Sequence, residues 1–218
     1  MFVRRDLSDR VPTPEGEMHY VKQGSGYPLV MLHPLGTSTW AWHSVIDSLS
    51  QHYTCYAFDM LGHGESDKPS RHFNIPDYAN ALDHACQILN IHRGHYVGNS
   101  VGAILAAEMA ASFPERLDKL VLVGCPVWDP RTAAQRLEDA SGGYDEQDIA
   151  KPRTLEELKA STTFADPKPE WVDATNQTRA QAGVWVGKLM QSLAHYDIMA
   201  RLPRIQASAT MVMYGEVD

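Results

Sequence analysis

The run Gly98-Asn99-Ser100-Val101-Gly102 sets one serine between two glycines, each two residues away. A serine hydroxyl becomes a useful nucleophile when a sharp strand-to-helix bend lifts it clear of the backbone. The bend forces unfavourable backbone angles and leaves no room for side chains two residues to either side, so glycine suits both places. Asn99 is a residue type that tolerates such angles. A helix starting after the serine would aim unpaired N–H groups and a positive dipole end at developing negative charge. The chemistry implied is attack on a carbonyl carbon, and Ser100 is the candidate nucleophile.

Flanking residues supply the elements this bend needs. His95-Tyr96-Val97 reads as a short strand before it, and Val101 to Ser112 as an alanine-rich helix after it, ended by Phe113-Pro114. Leu29-Val30-Met31-Leu32, Tyr53 to Phe58 and Leu120-Val121-Leu122-Val123 are apolar runs of the kind buried inside parallel sheets. A helix is expected over Trp40 to Ser50. Another follows Pro76, with Tyr78, Leu82, Ala85, Cys86 and Leu89 at helical spacing. Glu17 to Lys22, after the turn-like Thr13 to Gly16, opens the chain as part of a hairpin. Strands alternating with helices predict an α/β fold, a mainly parallel sheet covered on both faces.

The texture changes after Cys125. Residues 126–200 hold no strand-like run, whereas Thr154-Leu155-Glu156-Glu157 is a capping box. Trp171, Thr175, Thr178, Ala182, Trp185 and Leu189 follow one helical stripe, weakened by Gly183 and Gly187. The strand pattern returns at Thr210 to Tyr214. The expected organisation is a core formed by 1–125 and 201–218, with a helical cap over 126–200. Trp128, Trp171, Trp185, Met190 and Met199 are candidates to line an apolar pocket under that cap.

Composition narrows the function classes. With 19 basic against 27 acidic residues the net charge is -8, which argues against a nucleic-acid or anionic-membrane surface. The expected location is the cytoplasm. Met1 to Arg10 alternates charged with apolar residues, unlike a secretion signal, and Cys55, Cys86 and Cys125 lack paired spacing. No cofactor or metal is expected, since no H-E-x-x-H, zinc-type cysteine pairing or phosphate loop occurs.

Further motifs give the pattern a family likeness. His33-Pro34-Leu35-Gly36 follows a buried strand. Asp59-Met60-Leu61-Gly62-His63-Gly64-Glu65-Ser66 fits D-x-x-G-x-G-x-S. Phe113-Pro114-Glu115-Arg116 precedes another strand. Together with the serine bend, over nearly the whole chain, these resemble the α/β-hydrolase superfamily, in its capped serine esterase and carbon–carbon hydrolase branch.

That resemblance implies an oxyanion hole made by the N–H groups of Leu35 and Val101. Pro34, standing where the family usually has glycine, has no N–H to give. His33, Gly36, Gly98, Asn99 and Gly102 would support the loop and the bend. The acid of the triad falls on Asp218, in Tyr214-Gly215-Glu216-Val217-Asp218, with Asp129 as the alternative. Family order is serine, acid, histidine. The base is therefore expected beyond Asp218, where the sequence has no residue. The resemblance implies a chain lacking its last helix and strand, with little esterase activity in this form. It would leave an exposed sheet edge able to associate with a second copy. The implied substrate is a small apolar acyl compound such as an ester. Carbon–carbon cleavage of ring-fission products, and a non-catalytic ligand-binding homologue on the same fold, are the alternatives.

Overall fold

A computed structural model describes residues 7–126, 131–160 and 167–215. Seven strands form one sheet: β1 (Ser8–Thr13), β2 (Gly16–Gln23), β3 (Tyr27–Leu32), β4 (Tyr53–Phe58), β5 (Gly94–Asn99), β6 (Leu117–Val123) and β7 (Ala209–Met213), in the order β1-β2-β4-β3-β5-β6-β7. The pairs β1–β2 and β2–β4 are antiparallel, and all the others are parallel. The chain leaves β3 for β4 on one side and returns to β5 on the other. A crevice opens at the carboxyl ends of strands where the direction reverses in this way.

Helices α1 (Ile46–Leu49), α2 (Ile75–Ile88), α3 (Val101–Ser112), α4 (Ala133–Ser141), α5 (Leu155–Ala160), α6 (Pro169–Ala182) and α7 (Trp185–Ala194) complete the described part. Helix α2 starts on a capping box in which Asn74 and Asp77 bond each other's backbone N–H, with Pro76 in its first turn. Helix α3 is buried on every side from Val101 to Ala111. Its run of alanines lets sheet and neighbouring helices approach closely. Glu108 is fully buried on it, and accepts hydrogen bonds from Tyr196 Oη at 2.5 Å, Arg201 Nη2 at 2.8 Å and Ser112 Oγ at 2.7 Å.

Two expectations need correction. Trp40 to Ser50 is not one helix: a 3-10 turn over Thr39–Trp42 gives way to the single turn α1. Both Trp40 and Trp42 are buried, which a single α-helix face does not allow at a spacing of two. The stripe from Trp171 to Leu189 is two helices rather than one bent helix. Gly183, at φ 58°, ends α6 and α7 begins at Trp185. Strand β7 pairs with β6 but presents Met211, Val212 and Met213 about half exposed. No helix among the described residues is long and apolar enough to cross a membrane.

Candidate active site

Pairing between β3 and β5 sets the geometry. Leu32 stands opposite Gly98, so the loop after β3 and the bend after β5 leave the same sheet edge side by side. Ser100 caps α3 with φ 55° and ψ −117°, a positive-φ conformation that a side chain rarely adopts. Its N–H donates to the Val123 carbonyl at 2.8 Å, and its own carbonyl receives the N–H of Ala103 at 2.9 Å. The strain is thus held by β6 on one side and by the helix on the other.

The flanking glycines are required by contact. A methyl group on Gly102 would stand 2.7 Å from the His33 carbonyl oxygen and closer still to that of Leu32. One on Gly98 would meet the Gly102 carbonyl and, at 2.5 Å, the Ala103 nitrogen. The helix start and the end of β3 therefore touch backbone to backbone. This brings the His33–Gly36 segment alongside Ser100. Among the described residues the N–H groups of Leu35 and Val101 donate no hydrogen bond. Both are available to an acceptor. Asn99 lies at the end of β5, opposite Val123.

The loop after β3 is held from below. His33 is fully buried; its Nε2 accepts the Met60 N–H at 3.0 Å and its Nδ1 donates to the Pro34 carbonyl at 2.8 Å. Thr37 Oγ1 also donates to that carbonyl, and Gly36 turns the chain at φ 70°. Buried Asp59 accepts the Thr39 N–H at 2.6 Å, the Glu65 N–H at 2.9 Å and His19 Nδ1 at 2.7 Å. Burial pushes against the Asp59 carboxylate, but the bond from His19 and the neighbouring His33 hold it below its ordinary range. The sequence reading assigned no role to the His19–Asp59 pair. The two residues are forty positions apart, and only the β2–β4 pairing joins them.

His63 is fully buried. Its ring lies 5.5 Å from that of His33, and neither nitrogen has a partner in hydrogen-bond geometry among the described residues. Burial first, and the neighbouring His33 second, push it down to about 3. The folded chain keeps His63 neutral where an unfolded chain would protonate it, below its ordinary value of about 6.5. Stability is therefore complete above that value and falls as pH drops towards about 3. The expected loss from His63 at pH 5 is about 2 kcal/mol. Urea unfolding at pH 7 and pH 5 measures it, and His63→Phe should shrink the difference by that amount. An undiminished difference in the variant would remove His63 as its source.

Helices α6 and α7 lie against these loops. Thr178 Oγ1 donates to the Gly36 carbonyl at 3.1 Å, and Trp185 covers Gly62. Arg179 lies against Gly36; it sits four residues after Thr175, on the buried side of α6, a position the stripe could have flagged. Trp171 meets the His43 ring edge-on, whereas Met199 is half exposed. A cavity of about 740 Å³ between α4, α7 and the start of α2 includes Met190 but neither Ser100 nor Leu35. Asp218, Asp129 and Trp128 lie outside the described residues. Ser100 Oγ makes no hydrogen bond to a histidine among the described residues.

Comparison with known proteins agrees with this architecture. The sequence model of the alpha/beta hydrolase fold family matches residues 27–216. A 2-hydroxy-6-oxo-2,4-heptadienoate hydrolase of Pseudomonas putida is 30% identical over 188 residues, covering 73% of this chain and 67% of that protein. An uncharacterised protein of Mycobacterium tuberculosis is 38% identical over 100 residues, but the match spans 46% of this chain and only 29% of the relative. A hydrolase from Pseudomonas aeruginosa superposes with a TM-score of 0.77 at 21% identity, covering 97% of this chain and 81% of that one. The family match over residues 27–216, on a sheet whose reversal point carries Ser100, means that this chain belongs to the α/β hydrolase fold family.

Proposed function

We propose that this chain carries the reactive centre of a serine hydrolase that works through an acyl-enzyme. Ser100 Oγ attacks the carbonyl carbon of the substrate. The carbonyl oxygen takes the negative charge and accepts from the Leu35 and Val101 N–H groups. Collapse expels the leaving group, and water then releases the acyl group from Ser100. The observation carrying this reading is the strained Ser100 backbone, φ 55°, beside two main-chain N–H groups that bond nothing else described. A side chain is rarely held at such angles unless the position is used.

In this reading the proton of Ser100 passes to a histidine, which returns it to the leaving group, and the acid that steadies that histidine is Asp218, with Asp129 as the alternative. Residues 126–200 act as the cap. Cleavage of an ester and cleavage of a carbon–carbon bond beside a ketone both pass through the same oxyanion. The Pseudomonas putida relative, a dienoate hydrolase by name, favours the second. Steady-state assays of the full-length protein on p-nitrophenyl butyrate and on a 2-hydroxy-6-oxo-2,4-dienoate separate the two. Faster turnover of the dienoate supports carbon–carbon cleavage, faster turnover of the ester supports an esterase, and turnover of neither removes both.

A further inference from the structure

The Pro34 carbonyl collects three donors among the described residues: His33 Nδ1 at 2.8 Å, Thr37 Oγ1 at 2.8 Å and the Thr37 N–H at 3.3 Å. The roles of the two His33 nitrogens follow from its other bond. Nε2 faces the Met60 N–H, which can only donate, so Nε2 accepts and Nδ1 carries the proton. Burial lowers the pKa of this ring and so favours the neutral form with that one proton. Thr37 is itself buried, so little water competes with its hydroxyl for the same oxygen.

That carbonyl shares one planar peptide unit with the Leu35 N–H. The unit is trans, so the oxygen and the hydrogen point in opposite directions. Holding the oxygen therefore aims the hydrogen. The ring of Pro34 fixes its own φ, which leaves ψ of Pro34 as the soft rotation that turns the unit. His33 and Thr37 grip the unit beyond that rotation. Donors on a carbonyl also polarise its amide, and this strengthens the bond that the N–H can give. At the far end of the unit the Leu35 N–H donates to nothing described, and it is the proposed oxyanion donor.

We propose that Thr37 is a positioning residue for the reaction: its hydroxyl, together with His33, clamps the Pro34 carbonyl and so aims the Leu35 N–H at the oxyanion. Thr37 acts through the peptide unit and not by touching the substrate. The clamp counts most when charge develops on the substrate oxygen, so its loss is read in kcat and not in KM. This rests on Ser100, Leu35 and Val101 forming the reactive centre.

Two variants of the full-length protein test it. Thr37→Val keeps the shape of the side chain and removes the hydroxyl, whereas Thr37→Ser keeps the hydroxyl. Each is followed by steady-state kinetics on p-nitrophenyl butyrate and the dienoate, and by the Leu35 amide signal in proton–nitrogen correlation spectra. Thr37→Val should lower kcat about tenfold or more with KM within about twofold of the parent, and should displace the Leu35 signal. Thr37→Ser should restore both. A kcat in Thr37→Val within about twofold of the parent, an equal loss in Thr37→Ser, or a Leu35 signal unmoved in Thr37→Val would overturn the proposal. If Thr37→Val does not fold, Thr37→Ala is read by the same criteria. An unmodified protein that turns over neither substrate and does not react with a fluorophosphonate sinks the hydrolase reading. The Leu35 signal still reports whether Thr37 holds that peptide unit, so the two failures are told apart.

Discussion

Gly102→Ala is expected to destabilise the chain by more than about 4 kcal/mol, or to prevent folding altogether. Most substitutions of this size cost far less, so the reason has to be specific. The added methyl would press on the carbonyls of Leu32 and His33. Leu32 ends β3, which is paired on both sides, with β4 and with β5, and His33 follows it directly. Backbone in that position cannot step aside without breaking a ladder. Gly142→Ala is the control, because a methyl there meets nothing within 4 Å. Urea denaturation of the two variants should give a large loss for the first and almost none for the second.

Ser100→Ala is expected to lower turnover by about 10⁴-fold or more while leaving the fold intact. In the proposed mechanism the hydroxyl oxygen forms the acyl bond, and no other group described shares its place. The Cβ is retained, so the strained backbone is unchanged and stability should be close to that of the parent. Ser100→Gly separates strain from chemistry. Glycine adopts φ 55° readily, and this variant should be about 1 kcal/mol more stable than the parent while equally inactive. A protein in which stability rises as the nucleophile is lost is one that holds this residue against its own preference.

The bend and its flanks were legible in the sequence because each rests on local physics. Glycines two residues either side of Ser100, an apolar run before it and an alanine-rich run after it left few alternatives. The helix over Val101–Ser112 and the strand over Tyr53–Phe58 appear with the expected ends. The short turns after β3 were not legible. Trp40 and Trp42 are both apolar, and only the walls around them show that both are buried. The supports under the loop were hidden for a different reason. Met60 reaches His33, and His19 reaches Asp59, through strand pairing rather than proximity in sequence. The burial of Arg179 is not legible, because a lone arginine on a polar helix is usually solvated and its burial depends on packing against the Gly36 loop.

Reaction with a fluorophosphonate, followed by proteolysis and mass mapping, examines the nucleophile itself. Trypsin yields the peptide Gly94 to Arg116, which contains two serines, Ser100 and Ser112. Ser112 is engaged with the Glu108 carboxylate at 2.7 Å. One adduct on Ser100, lost in Ser100→Ala, is the result expected. An unreacted protein, or an adduct that persists in the alanine variant, would contradict the account.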